Sequence, residues 1–403
     1  MKNRLPITFI LITVALDSMG FGLIMPVMPS LIQELSGSNI SNAALWGGIL
    51  ATAFAIMQFL FGPMVGNLSD RFGRRPVLMI ALFIMSLDYL VMAVAGTMWL
   101  LLVGRIVGGI TAATQSTAAA YMADISTPKE KAANFGLIGA AFGVGFILGP
   151  LLGAALAELG SRAPFYAAAA LAAANLAFGY FVLPETVTDR IRRPFEWRRA
   201  NPLSAFKNIG SLPGLTPLMV ITFIYNVGFF VYPAIWAYFA IERFGWGTGM
   251  IGLSLGMFGL SMALVQGVLI RPILRILGDR NTVIFGLLVD VFAFTFLGFV
   301  SNGWVALAVL PITAFGSVAG PAISGLMSRS ARDDQQGELQ GTLASIGAVS
   351  MIVAPILMTR TFWYFTSSDA PTYLPGAPFL LSALLTLICV VVFVRTRPQN
   401  AGG

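Results

Sequence analysis

Apolar residues in this chain come in runs of roughly 20, separated by short stretches rich in glycine, arginine or other polar residues. The runs cover 7–30, 45–68, 76–96, 98–121, 133–158, 163–183, 214–240, 248–275, 281–300, 303–327, 337–362 and 375–396. A hydrocarbon layer about 30 Å thick requires helices of that length. Backbone groups in lipid must be satisfied within the structure, which leaves helices or closed barrels. Barrel strands would alternate apolar and polar residues, and these runs do not. The pattern therefore predicts an all-α membrane protein of twelve transmembrane helices. Lys2 and Arg4 before the first run suggest a secretory leader, but the run is too long, contains Asp17 and lacks a small-residue cleavage site. It is expected to be a retained first helix.

Composition agrees. Of 403 residues, 57% are hydrophobic and 10% charged, with a mean hydropathy of +0.84, whereas soluble domains carry about 25% charged residues. The chain has no histidine, which excludes a histidine-ligated metal site and a histidine proton relay. Its one cysteine, Cys389, has no partner in the chain for a disulfide. No nucleophile–base pair, metal cluster or soluble domain is legible, so neither an enzyme nor a sensor is expected, and the only coupling agent anticipated is a proton.

The net charge of +7 hints at nucleic acid, but its distribution points to membrane lipids instead. With the amino terminus placed inside, only Arg162, Arg243 and Arg360 of the 24 lysines and arginines fall outside, and Arg105 sits within a span. Such a bias is the positive-inside signal, and it supports a multi-pass inner-membrane protein with both termini cytoplasmic.

The longest polar segment, Pro184 to Pro213, divides the spans six and six, giving bundles over 1–183 and 214–403 and a linker over 184–213. Its cations suit anionic headgroups; a regulatory role is the alternative. A shift of 205 residues carries Gly73 to Gly278, Arg75 to Arg280, Trp99 to Trp304, Gly136 to Gly341 and Pro150 to Pro355, which suggests duplication. Parallel six-helix halves, pseudo-symmetric about the membrane normal with a substrate site near the midplane, are the plan of the major facilitator superfamily.

The loop Gly66-Asn67-Leu68-Ser69-Asp70-Arg71-Phe72-Gly73-Arg74-Arg75 resembles that superfamily's signature G-x-L-x-D-R-x-G-R-R at every named position. Asp70 is suited to pairing with an arginine or to a helix N-terminus, and Asp70, Arg71, Gly73 and Arg74 are the expected gate. Plain lipid anchoring would explain the arginines but not Asp70. Arg105, in Gly104-Arg105-Ile106-Val107-Gly108-Gly109, resembles the fourth-helix arginine motif; it is expected to hold carbonyls or a nearby carboxylate, with snorkelling as the rival. Gly139, Gly143, Gly145, Gly149, Pro150 and Gly153 look like the fifth-helix antiporter motif of drug exporters: small residues allow close helix approach, and Gly-Pro is expected to bend the helix.

Three carboxylates lie deep in spans: Asp17, Asp88 and Asp290. Each is costly if charged and unpaired, so each should face a wet cavity, pair with a cation such as Arg105, or carry a proton. Gln58, Gln115 and Asn226 are candidate polar contacts of a drug cavity, and Phe54, Tyr225, Phe229, Phe230, Tyr232 and Trp236 are candidate walls or packing.

Leu16 through Pro29, Ser69 through Leu78, Ser86-Leu87-Asp88-Tyr89-Leu90, Arg243-Phe244-Gly245-Trp246 and Gln335 through Gly341 resemble the tetracycline/proton antiporters over most of the chain. The resemblance implies substrate and proton handling by Asp17, Asp88 and Asp290 and a gate at Asp70 and Arg74. It departs at Met262, where the family carries a histidine one turn before the glutamine here at Gln266. Methionine neither titrates nor binds a hard cation, so coupling would rest on carboxylates. The expected activity is proton-coupled efflux of a small amphipathic, tetracycline-like drug by a monomer; a major facilitator carrier of a sugar or metabolite is the alternative.

Overall fold

The computed structural model of the protein describes residues 4–112, 114–127, 129–188, 192, 194–197, 201–202, 214–332 and 335–396. Among these, every regular element is helical: α1 (Arg4–Ser36), α2 (Ile40–Phe72), α3 (Arg74–Val94), α4 (Met98–Thr111), α5 (Thr114–Ile125), α6 (Lys131–Ala157), α7 (Ala163–Val182), α8 (Thr216–Phe229), α9 (Val231–Phe244), α10 (Thr248–Leu264), α11 (Ile270–Phe299), α12 (Gly303–Thr313), α13 (Ala319–Ser330), α14 (Gln336–Thr366) and α15 (Ala377–Arg395). A π-helical turn, Val265–Leu269, joins α10 to α11, and a 3-10 turn, Ala314–Val318, joins α12 to α13.

Three expected spans are each built from two helices in tandem, namely α4 with α5, α8 with α9, and α12 with α13. Among the described residues, eleven stretches are long and apolar enough to cross a membrane, because Thr248–Phe299 runs as 52 continuous helical residues. Such a helix would measure about 78 Å, far more than one crossing needs. Gly278, at φ +71°, breaks it and separates the eighth and ninth spans, so the fold has twelve. Only glycine reaches that backbone region without steric cost.

The chain forms two compact units. The first comprises Met1–Ser38, Ala53–Pro202 and Gly247–Gly256; the second comprises Asn39–Thr52, Leu203–Trp246 and Met257–Gly403. In the first, α1 packs along α6 and α3 packs on α7, around a core that includes Phe9, Ile10, Leu78, Leu82, Tyr121 and Met122. In the second, α11 packs on α15 and α13, and α8 on α14 and α15, around Met219, Ile221, Leu287, Ile323, Leu339 and Phe393. Polarity is inverted relative to a soluble protein: Phe292 is 71% exposed, whereas Asp290, two residues away, is 0% exposed. Lipid accepts the phenylalanine, and only a protein interior can hold the aspartate. Much of the 184–213 linker, including Arg190, Arg193, Arg198, Arg199 and Lys207, lies outside the described residues, as do Lys2 and Arg397.

Candidate functional site: buried carboxyl clusters and a charged loop

Each unit holds one enclosed carboxyl on the helix that follows its glycine-marked turn. In the first unit, Thr97 starts α4 by accepting the Leu100 N–H at 3.3 Å, which sets Arg105 two turns inside. There Arg105 pairs with Asp88 of α3, as the pairing alternative anticipated, rather than snorkelling to an interface. Glycine makes room: a Cβ at Gly104 would lie 3.0 Å from Asp88 Oδ1, and one at Gly108 would lie 2.6 Å from Oδ2. The guanidinium also sits 5.1 Å from the centre of the Phe54 ring, a cation–π contact. The bond to Asp88 is single rather than forked, since Asp88 Oδ1 and Arg105 Nε have no partner.

Asp17, on α1, is half-buried. Tyr89 lies near Asp17, Asp88 and Arg105, with its hydroxyl pressed against Gly20, where any Cβ would collide with it. The sequence marks Tyr89 only as part of a matching segment; the glycine opposite is the signal that a large side chain arrives there. Gln58 donates to the Ala112 carbonyl at 3.1 Å, where the fourth span breaks, so its amide serves the helix break as well as any cavity. Gln115 is exposed at the start of α5.

In the second unit, Asp290 is fully enclosed, with the Tyr225 hydroxyl as a neighbouring donor. Among the described residues it neither pairs with a cation nor reaches the surface in this structure, which leaves the third of the three alternatives. Its seat is Gly316, in the 3-10 turn, where a Cβ would collide with the carboxyl. Tyr225 stands beside Asp290 with its hydroxyl 3.4 Å from the Gly316 carbonyl, and the buried Tyr232 hydroxyl lies close by. Tyr225, Tyr232 and Trp236 are buried; Tyr232 packs against Phe258, Phe294 and Phe379, so these rings are core packing. Asn226 is half-buried beside them in sequence. Met262 is half-buried, and Gln266, one turn on, is exposed within the π-helical turn, a local widening often found at functional sites.

The glycines of α6 divide in two. A Cβ at Gly149 would lie 2.5 Å from the Met19 carbonyl oxygen and 2.9 Å from Gly22 Cα, and one at Gly153 would lie 2.6 Å from the Leu23 carbonyl oxygen; at Gly145 it would strike the Ala15 carbonyl. Gly145, Gly149 and Gly153 thus bring α6 backbone to backbone with the stretch of α1 that carries Asp17. Gly139 and Gly143 have nothing within 4 Å and take no part. Pro150 lies inside α6, which continues unbroken to Ala157, because a membrane helix tolerates proline where neighbours compensate the lost bond.

At the charged loop, Arg74 meets Asp70 at 2.6 Å and Asp124 at 3.2 Å and donates to Ser69 at 2.5 Å. Arg71 is exposed and stacks on Phe72 at 5.1 Å, so it is not part of this cluster. Asp70 does not cap α3. That role falls to Glu185, just past the sixth span, whose carboxylate accepts the N–H groups of Arg74 at 2.9 Å and Arg75 at 3.1 Å. Gly73, at φ +112°, lets the chain turn there, and a Cβ would strike Glu185. Removing the carboxylate with Glu185→Ala exposes two helix-end donors. It is expected to cost about 1 kcal/mol, read as a lower unfolding temperature of the purified protein, with Glu185→Gln intermediate. An unchanged unfolding temperature would show that water replaces the cap.

The second unit repeats this design. Gly278 turns the chain, Asp279 pairs with Arg329 at 2.6 Å, and Arg280 donates to the Thr396 carbonyl at 3.0 Å, just as Arg75 donates to the Tyr180 carbonyl at 2.8 Å.

Comparison with known proteins agrees with this architecture. The family model of the Major Facilitator Superfamily matches residues 10–355 and 218–403. The tetracycline resistance protein of class C from Escherichia coli is 38% identical over 395 residues, 98% of each chain, and that of class G from Vibrio anguillarum is 37% identical over 387 residues, 96% of each. Among solved structures, the human organic anion transporter MFSD10 (TETRAN) aligns with a TM-score of 0.69 at 26% identity, covering 98% of this chain and 100% of that one. The nucleoside transporter NupG aligns with a TM-score of 0.78 at 13% identity, over 98% of this chain and 99% of that one, which speaks to fold alone. With its two helical units, paired glycine-marked loops and full-length relatives, the chain is a multi-pass, non-enzymatic membrane transporter, and it belongs to the Major Facilitator Superfamily and, within it, to the family of the tetracycline resistance proteins.

Proposed function

We propose that the protein exports a small amphipathic, tetracycline-like drug across a bacterial inner membrane in exchange for protons, by alternating access, as a monomer with both termini cytoplasmic. The relatives' names support the substrate class, and the arginine bias supports the orientation. The observation that carries the coupling is the contrast among the three carboxyls: Asp88 neutralised by Arg105, Asp17 half-buried, and Asp290 enclosed with no cation beside it among the described residues. A bare carboxylate is strongly penalised in such an enclosure, so Asp290 must be carried there as the neutral acid. Opening its seat to water allows the proton to leave. The role of Asp88 is then electrostatic support, with Asp17 and Asp290 as carriers. The driving force is adequate, since one charge moving through 100 mV supplies about 2.3 kcal/mol.

Everted membrane vesicles test this reading. Wild-type protein should accumulate tetracycline, release protons when the drug is added, and lose accumulation with a protonophore. Asp290→Asn keeps the shape of the neutral acid but cannot release a proton; it should reduce uphill accumulation by a hundredfold or so, on the scale of losing an essential proton carrier, while drug–drug exchange persists. Asp17→Asn should abolish drug-induced proton release. Uphill transport at the wild-type rate by both variants would refute carboxyl coupling. Met262, in place of a titratable side chain, favours keeping a second reading, a carrier of another small solute. A panel of tetracyclines, unrelated drugs, sugars and nucleosides competing for uptake decides between the two.

A further inference from the structure

We infer that the end of α14 nearest Thr366 carries a binding site for the headgroup of an anionic phospholipid, with Arg360 as the phosphate ligand. The charge bias along the sequence assigns three cations to the side opposite the arginine-rich loops, and two of them are accounted for within the fold. Arg162 pairs with Glu34 at 3.0 Å and donates to the Ala93 carbonyl at 3.1 Å. Arg243 donates to the Val300 carbonyl at 3.0 Å. Arg360 alone among them has neither a hydrogen bond nor an ion pair among the described residues, and it is exposed. It lines a groove of about 530 Å³ on the second unit.

The groove has the polarity of a lipid. Thr361, Trp363 and Tyr364 lie at the outer side of Arg360, while Val353, Ile356 and Leu357 continue from it towards the middle of the helix. Depth agrees. α14 spans 31 residues, about 46 Å at 1.5 Å per residue; a hydrocarbon layer of about 30 Å centred on it ends about ten residues from the midpoint, at the level of Arg360. Tyrosine and tryptophan favour that boundary, and the Trp363 indole is anchored by donating to Asn42 at 2.9 Å. An unpaired guanidinium at phosphate level, above the apolar stretch of Val353, Ile356 and Leu357, fits one amphiphile: a phosphodiester head carrying a net negative charge, with its tail along Val353 and Leu357. The fork of arginine donors matches two phosphate oxygens.

Titration of the purified full-length protein with phosphatidylglycerol, phosphatidylethanolamine and diacylglycerol, followed by native mass spectrometry, tests the assignment. Wild-type protein should retain one more phosphatidylglycerol than Arg360→Gln, with affinity for that molecule about fivefold higher, as one interfacial cation provides. Arg360→Lys should restore at least half of the difference. Diacylglycerol, which lacks the phosphate, should bind both proteins alike. Equal retention of phosphatidylglycerol by wild type and Arg360→Gln would overturn the site, as would diacylglycerol binding as tightly as phosphatidylglycerol, which would leave a merely apolar groove. Arg360 is exposed, so its loss should leave the unfolding temperature in detergent unchanged, and a folding defect cannot pass for lost lipid.

Discussion

Arg105→Leu should lower the stability of the purified protein by about 3 to 5 kcal/mol, the cost of leaving one member of a buried ion pair uncompensated. Asp88 is 7% exposed, its carboxyl is walled by Gly104 and Gly108, and among the described residues Arg105 is its only ionic partner. Leucine also forfeits the stacking on Phe54. The measurement is thermal unfolding in detergent, together with the amount of folded protein recovered from membranes. The pair Asp88→Leu with Arg105→Leu removes both charges and should recover most of the loss, because replacing a buried pair by apolar side chains is often neutral or stabilising. If Arg105→Leu proves as stable as wild type, Asp88 is protonated when alone, and the arginine is then not what keeps α3 and α4 together. If the double variant is stable but also transports the drug uphill, the pair is structural and Asp88 has no part in coupling.

The second large effect separates glycines that look alike in the sequence. Gly149→Val should abolish transport and cost about 3 kcal/mol, the upper end for overpacking. The atoms a new side chain would meet, the Met19 carbonyl and the Gly22 Cα, are backbone and cannot rotate away. Gly149→Ala should fail in the same direction, even though alanine favours a helix over glycine by about 1 kcal/mol. Gly139→Ala meets open space, so there the helix preference acts unopposed and the variant should be as stable as wild type or slightly more so. Unfolding temperatures of the three variants and drug accumulation in everted vesicles provide the check. A harmless Gly149→Val would mean that α1 and α6 can separate without loss, which the interlocked backbones do not allow.

Particular residues show where sequence reasoning runs out. Asp70 and Arg74 sit four apart in the loop that the family resemblance already marked as a gate, and they pair there. Glu185, which supplies the helix cap, is more than a hundred residues distant, and only folding brings it there. Asp88 and Asp290 look equivalent as isolated acids within apolar runs. Their fates differ because α4 brings an arginine to one, whereas the 3-10 turn brings only Gly316 and the neighbouring Tyr225 to the other.

By itself, the sequence determined the twelve crossings, the bias of the arginines, the glycine-marked loops and the positions of the intramembrane acids. All of these follow from run length, charge and spacing along one dimension, since a membrane imposes its thickness on each helix separately. Tertiary structure alone decided which glycines carry a helix contact, which acid acquires a cation, which acid is sealed without one, and which arginine is left for a lipid. Those outcomes depend on what a neighbouring helix presents within a few ångströms, and no local pattern encodes the identity of that neighbour.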